Sequence, residues 1–90
     1  MKVYQVNYDL RKQRNYEPLY ERLKSYGTYS HSLDSTWIIV TDQTARQIRD
    51  YLYAVMDGDD GLLVTRLQGE WASVGLREST DQWLEKRLAA

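Results

Sequence analysis

Ninety residues with 42% hydrophobic and 28% charged side chains specify one small domain, because a chain this short buries little more than ~60% of its unfolded surface and cannot fill two cores. A net charge of −1 excludes a protein that coats nucleic acid through a broadly basic surface, so any nucleic-acid contact must be local. The apolar runs fall far short of the ~18 residues that a membrane-spanning helix requires, and no membrane association is expected.

The chain has no cysteine, which removes disulfides, thiolate metal sites and cysteine nucleophiles together. Met1-Lys2 runs directly into alternating polar and apolar residues rather than a continuous apolar stretch, so no export signal is expected and the cytoplasm is the expected location. Eight tyrosines and three tryptophans stand against no phenylalanine. Much of the apolar bulk therefore carries a hydroxyl or an indole N–H that needs a partner when buried.

The first strand is predicted over residues 3–8, with Tyr4, Val6 and Tyr8 on a core face and Val3, Gln5, Asn7 and Asp9 on the other. Asp9 closes it and opens a basic loop, Arg11-Lys12-Gln13-Arg14. Tyr16, Leu19, Tyr20, Leu23 and Tyr26 then recur at helical spacing, with Asn15 as the expected N-cap, Pro18 at the third helical position and Gly27 as a left-handed C-terminal residue. Residues 28–33 and 35–41 read as an antiparallel hairpin turning at Asp34-Ser35, its second strand almost wholly apolar through "TWIIV". Thr41 or Asp42 is the expected cap of a second helix, whose apolar stripe is Ala45, Ile48, Leu52 and Val55. The run Asp57-Gly58-Asp59-Asp60-Gly61 breaks that helix and reads as a turn, since it lacks the alternating ligands and distal glutamate of a calcium-binding loop. A fourth strand over residues 62–67 and a short extended piece over 71–76 follow. Ser79-Thr80-Asp81-Gln82 reads as the capping box of a C-terminal helix carrying Trp83, Leu84 and Leu88.

The order is β-α-β-β-α-β with an appendage, which predicts an α+β, ferredoxin-like domain: a core over residues 1–68, and a short extra strand and C-terminal helix over 69–90. Both core helices would cover one sheet face and leave the face with Gln5, Asn7 and Asp9 open.

The segments "VNYDL" at 6–10, Tyr26-Gly27 before the hairpin, "DSTWIIVT" at 34–41, and Asp59-Asp60 before "LLVTRL" resemble the small CRISPR-associated ferredoxin-like proteins that act as the non-integrase partner in spacer acquisition, and the VapD-type toxins. They are most similar to short bacterial proteins labelled "SinR family". The resemblance implies a homodimer. It also implies that Asp9 from each subunit lies near the two-fold axis, where the pair holds a divalent metal for phosphodiester hydrolysis, although many members lack activity and serve as dimeric scaffolds. Trp71 lies in the region that related proteins use to add a strand to a partner's sheet. The "TWII" strand departs from the Ser-Val-Phe pattern of the CRISPR-associated members.

Asp9 is thus the candidate catalytic residue and ligand for Mg2+ or Mn2+, with Gln5 and Asn7 orienting waters; the alternative is that it caps a turn or pairs with Arg11 or Arg14. Arg11, Lys12 and Arg14 could bind phosphate, with Tyr8 or Tyr16 stacking on a base, or form a solvated basic loop. Gln5, Asn7 and Trp71 are the expected dimer contacts. His31, the single histidine, has no companion at catalytic spacing and reads as a packed or surface residue. Two functions follow: a homodimer that binds RNA or DNA and cleaves it with metal, or a non-catalytic dimeric scaffold or regulator that binds a protein partner.

Overall fold

The structure is a computed structural model, and it describes residues 1–11 and 16–88. The expected cap Asn15 and the loop cations Lys12 and Arg14 lie outside the described residues. Strand β1 (Lys2–Asp9) lies inside the sheet, paired antiparallel with β3 (Thr36–Thr41) on one side and β4 (Gly61–Leu67) on the other. Strand β2 (Tyr29–Leu33) folds back on β3 through the Asp34-Ser35 turn, giving the order β2-β3-β1-β4. The three helices are α1 (Glu17–Lys24), α2 (Ala45–Tyr53) and α3 (Glu78–Leu88), so the domain is α+β.

The alternation in β1 decides what goes under the helices. Tyr4, Val6 and Tyr8, with Trp37 and Ile39 from β3, meet Leu19 and Leu23 of α1 and Ile48 and Leu52 of α2 in one buried cluster. Each of those four helical side chains contributes roughly 1.5–3 kcal/mol by leaving water. The polar tips of the buried rings are satisfied within the cluster or at its rim: Trp37 Nε1–H donates to Tyr8 Oη at 3.2 Å, Tyr8 donates to the Asp34 carbonyl at 3.0 Å, and Tyr4 donates to the Gln43 carbonyl at 2.7 Å. Arg22 ties the two helices together, donating to the Tyr51 carbonyl at 2.6 Å with its guanidinium 4.5 Å from that ring.

The helix ends differ from the sequence reading in instructive ways. Tyr16 occupies the N-cap position of α1 without a side-chain bond, and Pro18 falls in the first turn, where its missing N–H has no helical acceptor. Gly27 does adopt the left-handed conformation, with φ 82°. Thr44, rather than Thr41 or Asp42, caps α2: its hydroxyl accepts from Gln47 N–H at 3.2 Å, while the Gln47 side chain accepts from Thr44 N–H at 2.8 Å. Thr41 is held in β3 opposite Lys2, three residues too early to serve. The expected capping box at 79–82 also fails, because α3 starts at Glu78 and those residues are already helical.

The largest correction concerns the second sheet face. Residues 71–76 form no strand; Gly69 (φ 73°) and Gly75 (φ 80°) turn the chain at either end of the segment, and Ser73 donates to the Asp81 carboxylate of α3 at 2.6 Å. Nor is the face open throughout. Leu84 and Leu88 of α3 pack on Val3, Ile38 and Val40, with Leu67, Trp71, Leu76 and Trp83 around them. The physical reason lies in "TWIIV", which sends Trp37 and Ile39 to one face and Ile38 and Val40 to the other, so both faces need cover.

Candidate functional site

Register places the second face in rows running across the strands. Leu67, Val3 and Val40 form the row beneath α3; Thr65, Gln5, Ile38 and Ser30 form the next; and Leu63, Asn7, Thr36 and Leu33 form a third, which α3 does not reach. Successive rows stand ~7 Å apart, two residues of strand rise. Gln5 Nε2 donates to Asn7 Oδ1 at 2.8 Å and Asn7 Nδ2 donates to Thr36 Oγ1 at 2.9 Å, a polar relay in the middle of the sheet. At its flanks Leu63 is 63% exposed and Leu33 54%, and Val74 from the covering segment is 95% exposed. A groove of about 310 Å³ runs beside this row, lined by Gln5, Thr36, Ile38, Leu67, Trp71 and Leu84 among others. Of the three expected dimer contacts, Gln5 and Asn7 therefore lie together beside exposed leucines. Trp71 packs half-buried on the second cluster of its own chain.

Asp9 lies one row further on, opposite Gly61. Its carboxylate is exposed and accepts from Arg11 Nε at 3.3 Å, the pairing weighed as the alternative to metal binding. Arg11 reaches onward, its Nη1 donating to the Asp59 carbonyl at 3.2 Å and its backbone N–H to Asp60 Oδ1 at 3.1 Å. Asp60 is the buried acid of the cluster; its other oxygen accepts from Asp57 N–H at 3.0 Å, which folds residues 57–61 into the expected turn. A Cβ at Gly61 would stand 3.0 Å from Arg11 Nη2, so a side chain here would push the arginine end aside.

These residues do not fit a divalent cation within one chain. Arg11 holds one Asp9 oxygen and puts a positive charge where the ion would go, and Asp60 is committed to backbone N–H groups. Among the described residues no group of three or more His, Asp or Glu side chains converges to hold an ion. Among the described residues Asp9 has too few companions to hold a metal, so ligands from another molecule would be needed.

The expected nucleic-acid contacts divide. Tyr8 is corrected: its ring is buried under α1 and its hydroxyl is bonded to Trp37, Asp34 and Tyr20, so it has no face for a base. Burial, reinforced by the hydrogen bond with Tyr20, pushes that phenol well above the ordinary tyrosine value. Tyr16 is exposed, with its ring 5.9 Å from Tyr20. Arg11 is engaged by the turn. His31, though exposed, stacks on Trp37 with ring centres 4.3 Å apart and an interplanar angle of 16°, and its Nε2 lies 3.0 Å from the Asp34 carbonyl, within the packed or surface role expected of it. Sequence reasoning missed Leu33, Leu63 and Asp60; alternation groups Leu33 with Tyr29 and His31, and only the register shift between Ser30 and Leu33 sets it beside Thr36.

Among the described residues no helix is long and apolar enough to cross a membrane. No protein-family model matches the chain, and no solved structure matches it.

Proposed function

We propose that the chain is a homodimeric, ferredoxin-like interaction module that associates through the uncovered part of its second sheet face and works as a scaffold or regulator in the cytoplasm. The observation that carries this reading is the row Leu63, Asn7, Thr36, Leu33: two exposed leucines flank a hydrogen-bonded polar centre on a flat sheet surface. Exposed apolar side chains grouped on one sheet surface mark an interaction site more readily than a solvated one. The ferredoxin-like reading is supported by the strand order, which taken from the β4 edge is β4-β1-β3-β2, and by α1 and α2 sharing one face. The absence of cysteine agrees with a reducing compartment. Light scattering is the test: a dimer is expected for the wild type and a monomer for Leu63→Arg, whereas a monomeric wild type at high micromolar concentration overturns the proposal.

A second reading follows from the exposure of Asp9, whose side chain is 73% accessible at the sheet end next to that row. In a dimer built on this face, two Asp9 carboxylates brought together would supply the oxygen ligands that one chain lacks, and Mg2+ or Mn2+ bound there would activate water for phosphodiester hydrolysis, as the resemblance to CRISPR-associated and VapD-type proteins implies. Arg11 would have to leave Asp9. Incubation with RNA and DNA, with and without the metals, decides it: cleavage lost in Asp9→Ala supports the reading, and equal residual cleavage by both proteins removes it.

A further inference from the structure

Strand β4 closes the sheet on one side, and among the described residues no strand pairs with its outer edge. The direction of its backbone groups follows from β1. Tyr8 N–H donates to the Ser35 carbonyl, on the β3 side, at 3.1 Å. Backbone groups alternate sides along an antiparallel strand, so Tyr4, Val6 and Tyr8 bond toward β3 while Val3, Gln5, Asn7 and Asp9 bond toward β4. Their partners Leu67, Thr65, Leu63 and Gly61 therefore use their backbone groups inside the sheet. Leu62, Val64 and Arg66 direct theirs outward, as donors and acceptors with no strand to meet.

Helix α2 runs beside that edge. Its Ile48 and Leu52 are buried in the core, and Tyr51, on one flank of that stripe, meets Arg22 and Tyr26 of α1. Helical spacing puts Arg46 and Arg49 on the other flank, where they line a groove of about 250 Å³ together with Leu62 and Val64 of β4. Register sets Arg66 opposite Tyr4, hence on the same sheet face as Leu62 and Val64. Arg46 and Arg66 form no ion pair or hydrogen bond among the described residues, and Arg49 pairs with its neighbour Asp50 at 2.8 Å. An unpaired strand edge flanked by arginines suits an extended acidic chain, whose backbone would bond to Leu62, Val64 and Arg66 while its carboxylates meet the guanidinium groups. A second copy fits less well. Pairing two β4 edges about a two-fold axis lays both α2 helices on one side of the joined sheet, with their arginine flanks facing each other. We propose that the β4 edge takes up an extended acidic segment of a partner protein as an added strand. This edge lies on the α2 side of the sheet and does not depend on the dimer proposed for the other face.

The experiment is an NMR titration of 15N-labelled protein with the capped peptide acetyl-Thr-Glu-Thr-Val-Thr-Glu-Thr-amide, in which alternation places both glutamates and the valine on one side of the strand. Saturable shifts are expected along β4 and α2. Amide exchange should slow at Leu62, Val64 and Arg66, whose N–H groups gain acceptors, and change little at Leu63 and Thr65, which already bond to β1. Binding should weaken about tenfold or more in the Arg46→Glu/Arg49→Glu double variant, and equally for a peptide N-methylated at its valine or carrying lysine for glutamate. Both arginine side chains are exposed, so the double variant keeps the fold. Shifts that never saturate, or an affinity that N-methylation or charge reversal leaves unaltered, overturn the proposal. Protection of Leu62, Val64 and Arg66 that grows with protein concentration in the absence of peptide also overturns it, by giving the edge to a second copy.

Discussion

The two faces of the sheet are built from the same strands and finished differently. Under α1 and α2, nine buried residues from β1, β3 and both helices close a core whose aromatic hydroxyl and indole groups bond to one another or to nearby carbonyls. Under α3, five residues make a second cluster that stops at Ile38, and beyond it the sheet turns polar and then ionic. A small domain can thus keep one face for stability and only partly cover the other, leaving surface for association. The difference predicts that damage to the first face unfolds the protein and damage to the second only loosens it.

The sharpest way to break that comparison is Trp37→Ala, which removes a ring 1% exposed at the centre of the first cluster. A loss of about 3–5 kcal/mol is expected in urea unfolding, a large share of the stability of so small a domain. Leu84→Ala on the second face should cost less, about 2 kcal/mol, and speed amide exchange in α3 before that in α2. An equal cost for the two would mean that α3 belongs to a single cooperative core.

A smaller effect comes from alkali and sharpens the first face alone. Burial raises the Tyr26 phenol from 10.0 to about 12, with Tyr51 close by adding to the shift, and Tyr8 moves further in the same direction. The folded state holds these protons more tightly than the unfolded state, so the stability they contribute is complete below pH 10 and is lost as pH rises from 10 toward 12. Unfolding at pH 8, 10 and 11 should show this decline, with a shallower one in Tyr26→Phe. A wild type as stable at pH 11 as at pH 8 would contradict the assignment. The smallest effect belongs to Asp9→Ala, whose exposed pair with Arg11 is worth less than ~1 kcal/mol; a loss of 3 kcal/mol or so would reveal a structural duty that the geometry does not suggest.

Local pattern made much of the fold legible. Period-two alternation identified the core face of β1, the Asp34-Ser35 turn fixed the hairpin, and Ile48 and Leu52 at helical spacing identified the buried stripe of α2. What the chain concealed depends on contacts between distant segments. Nothing in Leu84 and Leu88 says which surface they meet, and Trp71 and Leu76 suit a strand as well as the irregular cover they form. Thr41, Asp42 and Thr44 are all suitable caps by chemistry; pairing with Lys2 removes Thr41, and the reciprocal bonds with Gln47 single out Thr44. At the candidate site, the bond from Asp9 to Arg11 was readable because the residues are neighbours. The role of Asp60 was not, because it bonds Arg11 across 49 residues.

The hydrogen bond from Asn7 to Thr36 bears on how the strands find their alignment. Alternation of apolar residues forbids a slip of one position between β1 and β3, yet a slip of two would return every side chain to its own face. Such a slip would set Asn7 opposite Ile38, which is 6% exposed, and leave an amide without a partner against an apolar neighbour. One polar side chain in the middle of a sheet thereby separates two alignments that hydrophobicity alone would treat as equivalent.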